Sequence, residues 1–188
     1  MTDEEMLKNL GPLAKLAGVW EGDQGIDIAP SPTRGSLETP YRERIVFEAM
    51  GPVDNHEQQL YGLRYSTAAY RHGEDEAFHE ELGYWLWDGQ EGQVLRCFLV
   101  PRGVTILAGG DAAAGDLSFS IAAEVGSQTY GISSNRFLDR EFKTVRYELT
   151  VTIEHSNSFR YEEDTQLLLK GLSQPFHHLD SNTLRRVS

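Results

Sequence analysis

The sequence predicts an all-β fold: a closed antiparallel up-and-down β-barrel of about ten strands, preceded by a short N-terminal helix. Apolar residues recur with a period of two along most of the chain, tight-turn residues separate these runs, and a long succession of short strands leaves sheet edges that closure removes most simply. A two-sheet sandwich shares the periodicity and stays open as an alternative.

The helix comes first. Met6, Leu10, Leu13 and Ala17 share one helical face between Glu4 and Ala17, and Gly11-Pro12 breaks or kinks it. Strand patterns follow around 18–22, 41–48, 58–65, 78–87, 93–100, 104–108, 117–125, 145–154 and 159–169. The clearest alternation runs through Val145, Tyr147, Leu149, Val151 and Ile153 against Arg146, Glu148, Thr150, Thr152 and Glu154. Turns are marked by Gly51-Pro52, His72-Gly73, Asp88-Gly89, Gly109-Gly110-Asp111, Gly115-Asp116 and Ser156-Asn157. The Pro/Ser-rich stretch from Ala29 to Ser36 has no period and reads as a loop, a flap over one mouth of the barrel.

A chain of 188 residues suits one domain, residues 1–188. Its net charge of −12 and the lack of a Lys/Arg stripe argue against nucleic acid and anionic membrane surfaces as partners. The acidic amino end, Met1 to Met6, does not resemble a secretory signal, so the expected location is cytoplasmic. The single cysteine, Cys97, cannot form an intrachain disulfide and reads as a buried core thiol within Val94 to Val100.

Recognisable catalytic motifs are missing. There is no Gly-x-Ser-x-Gly elbow and no Gly-Lys-Ser/Thr phosphate loop, and His79-Glu80-Glu81 lacks the second histidine of a zinc-protease helix. Paired carboxylates such as Glu162-Glu163-Asp164 read as solvated charge. His79, Glu81, Gly83, Trp85 and Trp87 share one strand face, and either face of that strand could look inward. If theirs does, His79 and Glu81 enter a cavity, where they could also act as base and orienter of an unspecified enzyme. The terminal segment places His177 and His178 side by side, a concentration of the imidazole ligands that iron and zinc accept, although paired histidines near a terminus are more often surface or packing residues.

Three segments, in order, resemble the nitrobindin-like family of haem-binding β-barrels. Leu16 to Gly25, with Gly18, Trp20 and Gly22, is similar to its opening strand; His79-Glu80-Glu81-Leu82-Gly83-Tyr84 is similar to its His-x-Glu-x-Gly-Tyr strand; and Gln174-Pro175 with His178-Leu179 is similar to its proximal-histidine region. The resemblance implies a barrel holding ferric b-type haem in one mouth through a single C-terminal histidine. That histidine maps onto His178, with His177 as the fallback, and His79 falls beside the haem. It also implies nitric oxide binding and isomerisation of peroxynitrite to nitrate. The family's Tyr-Pro-Thr-Ile is replaced by the loop from Ala29, and the terminal spacing departs by one residue. A second reading is a lipocalin-like or fatty-acid-binding-like carrier of a small apolar ligand without haem. The Arg-x-Tyr anion pair of fatty-acid carriers is not matched, because in Arg146-Tyr147 and Arg160-Tyr161 adjacent side chains point to opposite faces. A homodimer is left open.

Overall fold

The computed structural model describes residues 3–188, so the first two residues of the expected domain lie outside the described ones. Helix α1 (Asp3–Lys8) and a 3₁₀ helix (Gly11–Leu16) precede β1 (Gly18–Pro30), β2 (Ser36–Asp54), β3 (Gln59–Arg71), β4 (His79–Asp88), β5 (Gln93–Val100), β6 (Val104–Asp111), β7 (Ser118–Val125) and β8 (Gly131–Ser134). Helix α2 (Arg136–Glu141), β9 (Phe142–His155), β10 (Ser158–Leu169) and β11 (Phe176–Arg186) follow.

The strands close into one barrel in the order β1-β11-β10-β9-β7-β8-β6-β5-β4-β3-β2, with β7 also touching β6. This is the expected barrel, with eleven strands among the described residues and one departure from a purely antiparallel sheet. The short β8 lies parallel to β7, pairing Val125 with Ile132, and runs antiparallel to β6. Closure falls to the terminal strand, whose Leu179 pairs with Ile28 and Arg186 with Trp20 of β1.

The floor is built by the N-terminal segment. Gly11-Pro12 does break the helix: Pro12 sits in the first turn of the 3₁₀ helix, where its missing N–H costs nothing, and Gly11 has φ +55°. A Cβ on Gly11 would stand 2.5 Å from the Trp87 indole, so only glycine allows this approach. Leu13 and Leu16 then pack beneath Trp20, whose Nε1 donates to the Leu16 carbonyl at 2.7 Å and whose ring meets Phe159 edge to face at 4.8 Å. This satisfies the one polar atom of a buried indole while its large apolar surface plugs the barrel. Above the floor, alternation puts Phe47, Leu63, Trp85, Val94, Ile121, Leu149, Val151 and Leu184 inside.

Local expectations change as well. The stretch from Ala29 is not a flap: β1 runs on to Pro30, β2 starts at Ser36, and residues between them form a tight hairpin turn in which the Ser31 N–H donates to the Gly35 carbonyl. Arg34 at its tip donates to the Lys170 carbonyl at 2.6 Å and pairs with Glu141 at 3.0 Å. Cys97 is not core. In β5 the inward residues are Val94, Arg96 and Phe98, so alternation turns Cys97 outward, half-buried opposite Tyr84 and Leu107.

Candidate functional site

The end of the barrel away from Trp20 has a polar lining. Along β11 the inward positions are Phe176, His178, Asp180, Asn182 and Leu184, so the strand passes from an apolar floor to titratable groups at the mouth. The same phase turns His177 outward, its side chain 54% exposed and its Nδ1 2.7 Å from Asp164 Oδ2 on the outer surface. His178 is 33% exposed, and its Nε2 lies 2.6 Å from Oδ1 of Asp27, a buried residue of β1. A carboxylate that accepts a hydrogen bond from one ring N–H fixes the ring and leaves the other nitrogen as a lone-pair donor.

β4 brings His79 and Glu81 to the same interior, which settles the face left open by the sequence. His79 Nε2 is 3.2 Å from Glu81 Oε1. Glu81 Oε2 accepts from the Tyr65 hydroxyl at 3.0 Å and from Arg96 Nη2 at 2.5 Å. Arg96 also donates to the Tyr65 oxygen at 3.1 Å, to the Tyr147 hydroxyl, and to Glu163 Oε2 at 3.2 Å, while Tyr147 donates to Glu163 at 2.8 Å. The guanidinium lies 4.3 Å from the Phe98 ring centroid. A buried cation is thus paired, hydrogen-bonded and stacked, as its desolvation requires.

A second chain of hydrogen bonds runs beside the first. Tyr41 donates to Asp180 at 2.5 Å and meets the Tyr161 hydroxyl at 2.7 Å; Tyr161 lies 3.0 Å from Glu43, which also accepts from Thr67 and Asn182. Gly25 makes room for this chain, since a Cβ there would stand 2.4 Å from the Tyr41 ring.

Burial and neighbours set the charge of these groups in opposite directions. Burial raises the Glu81 carboxyl's pKa, but the charge of Arg96 and the hydrogen bond to His79 outweigh it and hold the group well below the usual carboxylate range. Burial likewise penalises charge on His79, yet Glu81, with Glu163 and Asp180 further off, takes the imidazole up to about 9. Glu43 and Asp180 go the other way: burial dominates and pushes both carboxyls up, with neighbouring carboxylates adding to the rise at Asp180.

Among the described residues no group of three or more His, Cys, Asp or Glu side chains could hold a metal ion alone. A lone imidazole with a carboxylate behind it suits a metal whose remaining ligands arrive with a cofactor, which is the donor set that haem asks of a protein. A groove of about 370 Å³ is lined mainly by outward-facing residues of β2 to β5, among them Arg44, Val46, Ala68, Leu82 and Leu99, and it also reaches Thr67 and Glu81 of the interior networks. No helix among the described residues is long and apolar enough to cross a membrane.

Sequence reasoning singled out His178, His177 and His79, and the barrel brings the first and third to the interior. It missed Asp27, Arg96, Tyr147 and Asp180. Alternation phased on Val94 and Phe98 would have placed Arg96 inside; nothing local marks Asp27, which is tied to His178 across 151 positions of chain. The fold is shared with the Rv2717c protein of M. tuberculosis, known from a crystal structure: TM-score 0.66 at 20% identity, covering 97% of this chain and 98% of that one. No curated protein matches the sequence. Residues 9–186 match the family model described as THAP4-like, heme-binding beta-barrel domain. By that match across nearly its whole length, the chain belongs to the THAP4-like family of haem-binding β-barrels, for which haem is the cofactor.

Proposed function

We propose that this chain binds ferric b-type haem in the mouth of the barrel, with His178 as the protein ligand to iron. The observation that carries this is the inward placement of His178 against Asp27. Asp27 would accept a hydrogen bond from Nε2–H and fix the ring, leaving Nδ1 as the nitrogen with a lone pair for the metal. His79 stands in the same mouth as a polar neighbour of the cofactor. Bound haem would supply an iron position open to nitric oxide and to peroxynitrite, the substrate of an isomerisation to nitrate.

The carrier reading fares less well for anionic ligands. A fatty-acid site needs an inward cation that is free to meet a carboxylate, and Arg96 is already engaged by Glu81 and Glu163. Titration of the apoprotein with hemin tests the proposal. The native chain should develop a Soret band at one equivalent, and His178→Ala should weaken binding at least tenfold while His177→Ala leaves it unchanged. Equal binding by all three proteins would remove His178 as the ligand, and no band in any of them would remove the haem reading.

A further inference from the structure

The imidazole of His79 has a nitrogen to spare. Its Nε2 is taken by Glu81, and Nδ1 has no hydrogen-bond partner among the described residues, on a side chain that is 38% exposed to the mouth. Behind it the arrangement is rigid. Glu81 is clamped by Tyr65 and Arg96, and Arg96 is anchored in turn by Tyr147 and Glu163. The carboxylate therefore cannot turn away from His79 without giving up its bonds to Tyr65 and to the buried guanidinium, which would be costly.

The charged groups facing His79 agree in sign. Glu81 on its own strand and Glu163 on β10 favour the imidazolium, Asp180 on β11 adds to them only when ionised, which its burial opposes, and Arg96 on β5 sits beyond Glu81 rather than against the ring. Across β3 its partner is Ala69, which brings no charge.

We propose that Arg96, Glu81 and His79 act as one positioning line that keeps His79 charged and presents its Nδ1–H as a hydrogen-bond donor to a small anion or an oxygen-bearing ligand in the mouth. In haem-loaded protein, and there resting on the proposed function, that partner is the ligand on iron. Arg96 and Glu81 touch no ligand; they act by fixing the charge and orientation of the ring. A preorganised charged donor in a partly dry site favours acceptors that develop or carry negative charge.

Two measurements test this, and they fail separately. Nitrogen-15 NMR of the imidazoles in the apoprotein should show His79 losing its proton near pH 9 in the native chain and near or below about 6.5 in Glu81→Gln, where burial acts without its counter-charge. A native value at or below about 6.5 overturns the proposal, and needs no variant to fold. An unmoved value in a folded E81Q does the same for the role of Glu81. In ferric hemin-loaded protein, fluoride is the probe: His79→Phe should bind it roughly tenfold more weakly, as expected for loss of one charge-assisted hydrogen bond. Native affinity should fall as pH rises through about 9. Equal fluoride affinity in the two proteins overturns the donor role even if His79 is charged, and failure to take up hemin counts against the haem reading while the NMR result stands.

Discussion

Replacing Arg96 with methionine should expose how much of the barrel depends on its buried charges. Arg96 is 7% exposed, and its guanidinium donates to Glu81, Glu163, Tyr65 and Tyr147. Methionine has a similar length and fits against Phe98 and Trp85, so the lost packing is small. The cost comes from Glu81 and Glu163, which lose the guanidinium they share, Glu81 keeping only His79 as a counter-charge. Breaking a buried ion pair from one side typically costs about 3–5 kcal/mol, a large share of the roughly 5–15 kcal/mol that holds a domain together. Urea unfolding followed by circular dichroism measures it. The pH dependence gives a sharper check. In the native chain Glu81 has a folded pKa below its unfolded value, so its contribution is present above the unfolded pKa and lost as pH falls toward about 2. Without Arg96, His79 is the counter-charge left to Glu81 against burial, so the Glu81 pKa rises and the deficit of Arg96→Met should shrink between pH 7 and pH 4.5 as Glu81 takes up a proton. Combining it with Glu81→Gln and Glu163→Gln should recover most of the loss at pH 7. A deficit under about 1 kcal/mol at pH 7 would refute the claim that these charges are desolvated and interdependent.

Two further outcomes follow from the same interior. The links Asp180–Tyr41, Tyr41–Tyr161 and Tyr161–Glu43 need three protons where the two phenols supply two, so a carboxyl at one end must carry the third. Burial raises the Glu43 pKa, so its favourable neutral form is fully present below its unfolded pKa and stability falls as pH rises through the folded one. Glu43→Gln, which mimics that neutral form, should therefore match the native chain to within about 1 kcal/mol near pH 4.5 and become the more stable of the two as pH rises toward 8, flattening this decline in chemical denaturation; steep destabilisation at pH 7 would show that Glu43 is an anion held by its partners. Asp27→Ala removes the group that orients His178 and should weaken hemin affinity by about 10- to 100-fold, read from the rate of haem transfer to excess apomyoglobin. An unchanged rate would mean that Asp27 does not act on the ligand.

The barrel was legible wherever inward positions are apolar. Val145 to Glu154 and Phe159 to Leu169 emerge from period two because Leu149, Val151, Ile153, Phe159 and Leu167 fill the core. The closing strand was not marked out in the same way. Its inward residues include His178, Asp180 and Asn182, so hydrophobic alternation vanishes where the wall turns polar, although the backbone pairs without interruption from Phe176 to Arg185. The hairpin turn after Ala29 was overextended into a loop because its prolines and serines sit at the barrel rim, where the inside–outside contrast is weak. The parallel contact between β7 and β8 leaves no local signature at all, since strand direction depends on the intervening loop rather than on side-chain pattern.

The same parity argument narrows the site. In a strand, neighbours in sequence diverge in space, so His177 and His178 cannot both face one cofactor: one meets Asp164 on the outer wall, the other Asp27 inside. What looked like a pair is one interior imidazole and one surface imidazole. The second interior histidine comes from a strand about a hundred residues earlier in the chain, and its environment differs in kind. A carboxylate clamped by a buried arginine keeps His79 charged, whereas a charged imidazole cannot lend a lone pair to a metal. Under the proposed function the interior divides the two roles available to histidine: His178 would donate a lone pair, and His79 a hydrogen bond. If hemin binding survives His178→Ala at high pH, where His79 is neutral, but not at pH 7, that division of roles is set by charge rather than by position.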